Sequence, residues 1–280
     1  MQSAISRLQC IGGGDGTATP DAATATRDTA PVGRLEGRRA LITGATGGLG
    51  AEIAGAFAKE GASLVLTARS AERLQTVGSG GSHVLAFDIA DADAAQAGVD
   101  RAAELLGGLD TLIHAAAIDC DWAPVGDMSV ETWDETVATN LSGAFYVCRA
   151  ALPHLVAAGA GSIVTLTSVA AYRVWPHDAA YSASKAGVDM LTRTIAVEYG
   201  KHRIRANAIS PGVIDGGMTD EVEDAWERAR LAGLHAIPRL GLVAEVAEAA
   251  VWLASDASSF TTGSVLRVDG GFLDYSSSGG

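Results

Sequence analysis

The stretch Ala40-Leu41-Ile42-Thr43-Gly44-Ala45-Thr46-Gly47-Gly48-Leu49-Gly50 passes from a short apolar run through a glycine-rich turn into helical spacing. Ile53 and Phe57 lie four residues apart and Gly61 supplies a stop, so a helix is predicted from about Ala51 to Lys59. Glycines at this turn let main-chain N–H groups approach a pyrophosphate at the positive end of the helix. Glycine-rich runs also make ordinary turns. The place of this one, between a strand and a helix at the start of the pattern, favours a dinucleotide cradle of Gly44, Thr46, Gly47, Gly48, Leu49 and Gly50.

Outward from that unit, short apolar strands alternate with helical stretches. Ala40–Thr43, Leu64–Thr67, Val84–Phe87, Thr111–His114, Ile163–Thr167, Ala206–Ile209 and Val265–Val268 are seven candidate strands. Alternation of this kind implies crossover helices and a sheet covered on both faces. The fold class expected is α/β, a single doubly wound Rossmann-type domain over 37–273 with a seven-stranded, mostly parallel sheet. Residues 1–36, rich in Gly, Ala, Thr and Asp without apolar periodicity, read as a flexible tail, and 274–280 as another. Ligands in such sheets bind beyond the carboxyl ends of the strands, which directs attention to the residues just after each strand.

The bulk properties narrow the partner. A net charge of -13 opposes non-specific binding to nucleic acid or anionic lipid, and no apolar run is long enough to span a bilayer. A small molecule is the better partner. Cys10, Cys120 and Cys148 are odd in number and widely spaced, so they read as free thiols in a reducing compartment, with no metal site. The tail lacks the apolar core of a secretory signal, and its acids oppose a transit peptide, so a cytoplasmic location is expected.

After the second strand, about 18 residues beyond Gly50, an NAD site usually carries an acid for the ribose 2′-hydroxyl. Here the chain reads Thr67-Ala68-Arg69-Ser70. Arg69 offers a permanent charge and a planar fork suited to a 2′-phosphate, with Ser70 as a further donor. The cofactor expected is therefore NADP(H), with NAD(H) second. Asp88, followed by Ile89 after the third strand, reads equally as an adenine contact or as a helix cap shared with Asp91.

Tyr181-Ser182-Ala183-Ser184-Lys185 opens a helix to about Tyr199, and i, i+4 spacing puts Tyr181 and Lys185 on one face. Tyrosine titrates near 10, too high for proton transfer at neutral pH, but a nearby ammonium favours the phenolate. An isolated Tyr-x-x-x-Lys is usually an ordinary helix start. This one has Ser168 on the ligand edge of the fifth strand, 13 residues earlier, where its hydroxyl can donate to a substrate oxygen.

With these motifs in this order, the chain resembles the short-chain dehydrogenase/reductase family over about residues 37–272. The family's T-G-x-x-x-G-x-G loop is matched by Thr43, Gly44, Gly48 and Gly50, and its catalytic Asn, Ser, Tyr and Lys by Asn140, Ser168, Tyr181 and Lys185. The resemblance implies that Tyr181 exchanges a proton with the substrate oxygen, which Ser168 holds and polarises. It implies that Lys185 binds the nicotinamide ribose and depresses the Tyr181 pKa, while Asn140 positions a relay water. It also implies main-chain cofactor contacts from Ala115, Ala116 and Ala117 and from Pro211, Gly212 and Ile214. Oligomers through the Tyr181–Tyr199 and Gly143–Ala158 helices are implied as well, a homotetramer first and a dimer second.

Two stretches depart from the family pattern. His114-Ala115-Ala116-Ala117 stands where Asn-Asn-Ala-Gly is common, and His114 reads as a packed or capped histidine. Gly216 and Gly217 stand where a Thr often follows, with Thr219 a candidate replacement. Substrate choice is expected in Ala170–Ala180 and Met218–Pro238, where Trp175 and Trp226, with Ser168 and Tyr181, would bound a pocket for a hydrophobic or cyclic ketone or alcohol. Rival readings are a nicotinamide-binding regulatory protein without turnover, and an epimerase or dehydratase of related fold.

Overall fold

A computed structural model describes residues 33–275, apart from 78–80, 120–121, 217–218, 220–221 and 223. Cys10, Cys120, Gly217 and most of both expected tails lie outside the described residues.

The chain alternates as predicted. The elements run β1 (Arg39–Thr43), α1 (Gly48–Lys59), β2 (Ser63–Ala68), α2 (Ala71–Val77), β3 (His83–Ala86), α3 (Ala92–Leu106), β4 (Thr111–His114), α4 (Val130–Val137) and α5 (Gly143–Ala157). They continue with β5 (Gly161–Leu166), α6 (Ala179–Tyr199), β6 (Ile204–Pro211), β7 (Ile214–Asp215), α7 (Ala225–Ala232), β8 (Gly241–Leu242), α8 (Val243–Ala254) and β9 (Val265–Val268). Seven strands form one sheet in the order β3-β2-β1-β4-β5-β6-β9, and every pairing is parallel. The reversal of strand order lies between β1 and β4, so the crevice past their carboxyl ends is the expected ligand site. The two-residue strands β7 and β8 pair separately; neither is long enough to show a period in the sequence.

Each face of the sheet buries its own apolar cluster. Ile42, Leu66, Val164 and Ile209 pack on one side against Ile53 and Phe57 of α1 and Val246, Ala250 and Leu253 of α8. Leu41, Val65, Leu112 and Ile163 face the other side, against Val99 of α3, Val147 and Leu155 of α5 and Ile195 of α6. Strands buried on both faces explain the unbroken apolar runs, since no position is left to alternate toward water. Helix ends follow local chemistry. The Asp91 carboxylate accepts from the N–H groups of Asp93 and Ala94 at the start of α3, and Gly107 ends that helix at φ 66°.

The amino-terminal boundary differs from the expectation. Leu35 is fully buried, and the Arg34 guanidinium pairs with Glu60 at 2.6 Å and Glu248 at 2.9 Å, so packed structure begins before residue 37. A single apolar residue between charged ones carries no periodicity, which is why the sequence pattern starts late.

The glycine turn is shaped by close approach. Gly44 has φ 68°, a left-handed conformation, and a Cβ there would lie 2.6 Å from the Ala116 backbone. A Cβ on Gly50 would lie 2.2 Å from the Gly44 carbonyl oxygen, because α1 starts hard against the turn. Gly50→Ala must separate backbone from backbone. It should cost about 1–3 kcal/mol, the range for overpacking, read as a lower urea midpoint at unchanged m-value.

Candidate active site

The carboxyl edge of the sheet gathers the predicted chemical residues. Ser168 follows β5; its Oγ accepts from the Ala170 N–H at 3.1 Å, and its own proton is directed to the Tyr181 phenol oxygen. Tyr181 and Lys185 lie in the first two turns of α6, on one face as the spacing requires. The Lys185 Nζ donates to the Leu166 carbonyl of β5 at 2.8 Å and lies 5.4 Å from the Tyr181 ring centroid. Lys185 is 3 % exposed. Helix and strand are thus joined by the ammonium at the place where chemistry would occur.

Burial governs the titration of this pair. It pushes the Tyr181 phenol up, against a hydrogen bond from Ser168 that favours the phenolate, and the charges of Asp119 and Asp178 push the same way as burial. The depression expected from Lys185 does not govern Tyr181 here. One ammonium proton goes to the Leu166 carbonyl, and the cost of burying a phenolate dominates. Lys185 is itself brought down to about 8 by burial, opposed by Asp119. Burial and then Asp119 raise Asp178 to about 7.

Asn140 sits in a π-helical turn, Ala138–Ser142, between α4 and α5. Its side-chain oxygen accepts from the Ile118 N–H at 2.8 Å, while Nδ2 donates to the Ile118 carbonyl at 2.8 Å and to the Ser184 Oγ at 3.1 Å. Both amide donors are occupied in tying the loop after β4 to α6. A widened turn of this kind recurs at functional sites, yet helical periodicity in the sequence does not reveal it.

The cofactor residues of the prediction line the same edge. The first turn of α1 has no acidic residue, and Gly47 supplies no capping side chain, so its main-chain N–H groups remain available to an anion. Together with the left-handed Gly44, this is a cradle that a pyrophosphate fits. Gly48 and Leu49 open α1, and Thr46 offers its carbonyl to the Arg73 Nη2 at 3.0 Å. Arg73 was not singled out in the sequence; an arginine inside a predicted helix reads as a solvated face. Arg69 is exposed beyond β2, and the Ser70 Oγ accepts from the Arg73 N–H at 3.2 Å.

Asp88 accepts from the Ala90 N–H at 2.9 Å, and Asp91, not Asp88, caps α3. Ile89 is buried beside Gly143. Ala115, Ala116 and Ala117 are half-buried after β4, and the Ala116 N–H donates to the Thr43 Oγ1 at 3.3 Å. Pro211 and Ile214 are buried around Gly212. The Thr219 hydroxyl bridges the Ile214 carbonyl and the Gly216 N–H, taking up the turn that Gly216, at φ 115°, makes.

A cavity of about 350 Å³ lies beside this edge, walled by Trp122, Arg173, Trp175, Leu234, Arg230 and Phe272 among others. Trp175 is one of its lining residues. Trp226 is not: at the start of α7 it is 71 % exposed and forms no part of the wall. Trp122 and Phe272 were missed, since each is an isolated aromatic far in sequence from the motifs. Among the described residues no cluster of metal-ligating side chains occurs, and no helix is long and apolar enough to cross a membrane.

A family model described as enoyl-(acyl carrier protein) reductase matches residues 44–273. The chain is 40 % identical to a D-threitol dehydrogenase of Mycolicibacterium smegmatis, over 85 % of this chain and 94 % of that one. The chain belongs to the short-chain dehydrogenase/reductase family. Two solved structures place it further. A carveol dehydrogenase from Mycobacterium avium in complex with NAD matches at TM-score 0.82 and 28 % identity, covering 87 % of this chain and all of that one. A gluconate 5-dehydrogenase from Burkholderia cenocepacia, in complex with NADP and tartrate, matches at TM-score 0.83 and 33 % identity, covering 87 % and 98 %. The chain is thus a nicotinamide-dependent dehydrogenase/reductase acting on CH–OH groups.

His114, the departure from the family pattern, is buried in β4, and its Nδ1 lies 3.1 Å from the Thr43 Oγ1. That oxygen also accepts from Ala116, so the imidazole is held through Nδ1 alone and its Nε2 has no partner among the described residues. Burial first, and the Lys185 charge second, bring its pKa down to about 3. The ring should therefore keep one tautomer and not titrate between pH 5 and 8. Imidazole ¹⁵N shifts measured across that range check it, and a midpoint near 6.5 would contradict the assignment.

Proposed function

We propose that the protein interconverts a hydrophobic or cyclic ketone and its secondary alcohol, with NADP(H) preferred over NAD(H). The observation that carries this reading is the convergence of the Ser168 hydroxyl, the Tyr181 phenol and the Lys185 ammonium past β5, beside an aromatic-walled cavity. A homotetramer, or failing that a dimer, in the cytoplasm is part of the same proposal. The exposed apolar side chains of α5 and α6, Phe145, Met190 and Val197, support it, since a contact between subunits would cover them.

Each group has a role that its surroundings suit. The phosphate loop from Gly44 to Gly50 holds the pyrophosphate, Arg69 and Ser70 the 2′-phosphate, Asp88 and Ile89 the adenine, and Ala115–Ala117 with Pro211, Gly212 and Ile214 the nicotinamide end. When bound, the cofactor supplies the hydride to the carbonyl carbon or takes it from the alcohol. Ser168, whose proton points to the Tyr181 oxygen, turns it to the substrate oxygen when a substrate is bound. Tyr181, kept protonated by burial, gives its phenolic proton to that oxygen as negative charge develops there. Lys185 is available to hold ribose hydroxyls, because an ammonium has three donors and the Leu166 carbonyl takes one. Asn140 fixes the loop from Ala115 to Ile118 through its amide, so a relay water must be held by its main chain.

Tyr181→Phe should lower kcat/KM for a ketone panel by about 10²–10⁴-fold, the range for one general acid, with cofactor Kd nearly unchanged. Residual turnover close to wild type would overturn the proton assignment. Net loss of reduced-nicotinamide absorbance with substrate separates a reductase from an epimerase or dehydratase, which regenerates its cofactor. Arg69→Ala should raise the NADPH Kd by about 10–100-fold, as expected for a charged hydrogen-bonding partner, and leave NADH nearly unaffected. Equal losses for both cofactors, read by fluorescence of the bound reduced nicotinamide, would refute the 2′-phosphate assignment.

A further inference from the structure

We infer that His235 is a positioning residue for the nicotinamide end of the cofactor: its imidazole fixes where the main chain from Gly212 to Ile214 lies. The inference rests on the proposed role of Pro211, Gly212 and Ile214 toward that end.

The segment leaves the sheet at its carboxyl edge, where a ligand of this fold is held. The last register pair of β6 with β9 is Pro211 with Val268, and the Gly212 N–H donates to the Val268 carbonyl at 3.0 Å. One residue further on, a side chain takes over from the strand: the Val213 N–H donates to the His235 Nε2 at 3.2 Å, across 22 residues of sequence. The Val213 carbonyl then accepts from the Gly241 N–H of β8 at 3.0 Å. Neighbouring main-chain groups are thus held in turn by β9, by the turn after α7 and by β8, with His235 in the middle.

Both partners of the imidazole have fixed roles, which settles its tautomer. A main-chain N–H only donates, so Nε2 carries no proton. Nδ1 faces the Leu231 carbonyl at 3.0 Å and the Ala232 carbonyl at 3.3 Å, which only accept, so Nδ1 carries it. These carbonyls lie in the last turn of α7, where a helix leaves its oxygens without helical donors. One neutral ring therefore caps a helix through one nitrogen and holds Val213 through the other. His235 is buried, and its ring packs 5.3 Å from that of the fully buried Phe272, which leaves it little room to turn. The fit behind Gly212 is close as well: a Cβ there would lie 3.0 Å from the His235 Nε2 and 2.9 Å from the Asp269 Cα. A histidine that served α7 alone would need only Nδ1. Loss of the acceptor at Nε2 would send the Val213 N–H to another partner and turn Gly212 and Ile214 with it.

The test separates the two nitrogens. In His235→Asn the shorter amide can still cap α7 but offers no acceptor where Nε2 stood, whereas in His235→Gln the amide oxygen reaches that place. Titration calorimetry on the full-length protein gives Kd for NADPH against 2′-phospho-ADP-ribose, which lacks the nicotinamide, and for NADH against ADP-ribose. Wild type should bind the intact member of its preferred pair about 10-fold more tightly than the fragment, as two ordinary hydrogen bonds would give. His235→Asn should cut that preference about 3–10-fold with the fragment's Kd unchanged, and should lower kcat on a ketone panel about 10–100-fold, the scale for a slightly misplaced reactant. His235→Gln should bring both back to within about threefold of wild type, since the bond to Val213 is remade. A preference undiminished in His235→Asn, or diminished alike in both variants, overturns the inference. So does an equal loss for cofactor and fragment, which marks a general loosening of the fold. A wild-type preference near one instead shows that Pro211–Ile214 does not hold the nicotinamide, and the proposed site falls together with the inference. If no ketone turns over, the binding ratios decide the role of His235 and only the proposed substrate chemistry fails.

Discussion

The hydrogen bond from Lys185 to the Leu166 carbonyl holds the functional end of the molecule together. An ammonium taken almost wholly out of water is costly, and the depression of its pKa to about 8 records that cost. The carbonyl it reaches is the last of β5, at the edge where a parallel strand stops pairing and its oxygens need partners. Because Tyr181 lies in the first turn of α6 and Lys185 follows one turn later, the same bond sets the height of the phenol above the sheet. Ser168, two residues past Leu166, then stands opposite the phenol without needing a long side chain. Three groups from two elements are registered by one contact, which is how a site can be accurate while its flanking loops vary.

The amino-terminal half depends on a second constraint, the contact between the glycine turn and the end of β4. Gly44 lies against Ala116, and Thr43 accepts from the Ala116 N–H while sharing a hydrogen bond with the His114 Nδ1. The imidazole holds Thr43 through Nδ1 and leaves its buried Nε2 without a partner among the described residues, so it keeps the strand-to-strand link at the expense of one unsatisfied ring nitrogen. Burial then keeps the ring neutral, which matters because a second cation near Lys185 would compete with the charge that the active site requires.

Much of this was legible in the sequence because it follows from period and spacing. All seven sheet strands were marked by short apolar runs, and in the inner strands β1, β4, β5 and β6 burial of both faces made those runs unbroken. Tyr181 and Lys185 share a face through helical geometry alone. What was hidden depends on tertiary encounter. Leu35 is buried by packing that no local pattern announces. Arg73 meets the Thr46 carbonyl across 27 residues, and Trp122 and Phe272 reach Trp175 from distant loops. Trp226 was misplaced for the complementary reason: an aromatic in a substrate-side segment is no guide to which face of the helix it occupies. The sense of the Tyr181 shift was hidden too, since spacing reveals that an ammonium is near but not that a carbonyl holds it.

These features give the catalytic end an electrostatic asymmetry that the net charge does not reveal. Asp119 and Asp178 stand next to a phenol that must stay protonated to act as an acid, and both charges favour that state. The same carboxyls would repel an anionic substrate placed directly over Tyr181. A negatively charged ligand is then tolerated only with its charge held away from the phenol. Protonation of Asp178, which burial and Asp119 bring into the neutral range, weakens that repulsion as pH falls below about 7. Acid strength at Tyr181 and substrate orientation are therefore coupled through one pair of carboxyls. A change at Asp178 should alter both together, even though that residue need not touch the substrate.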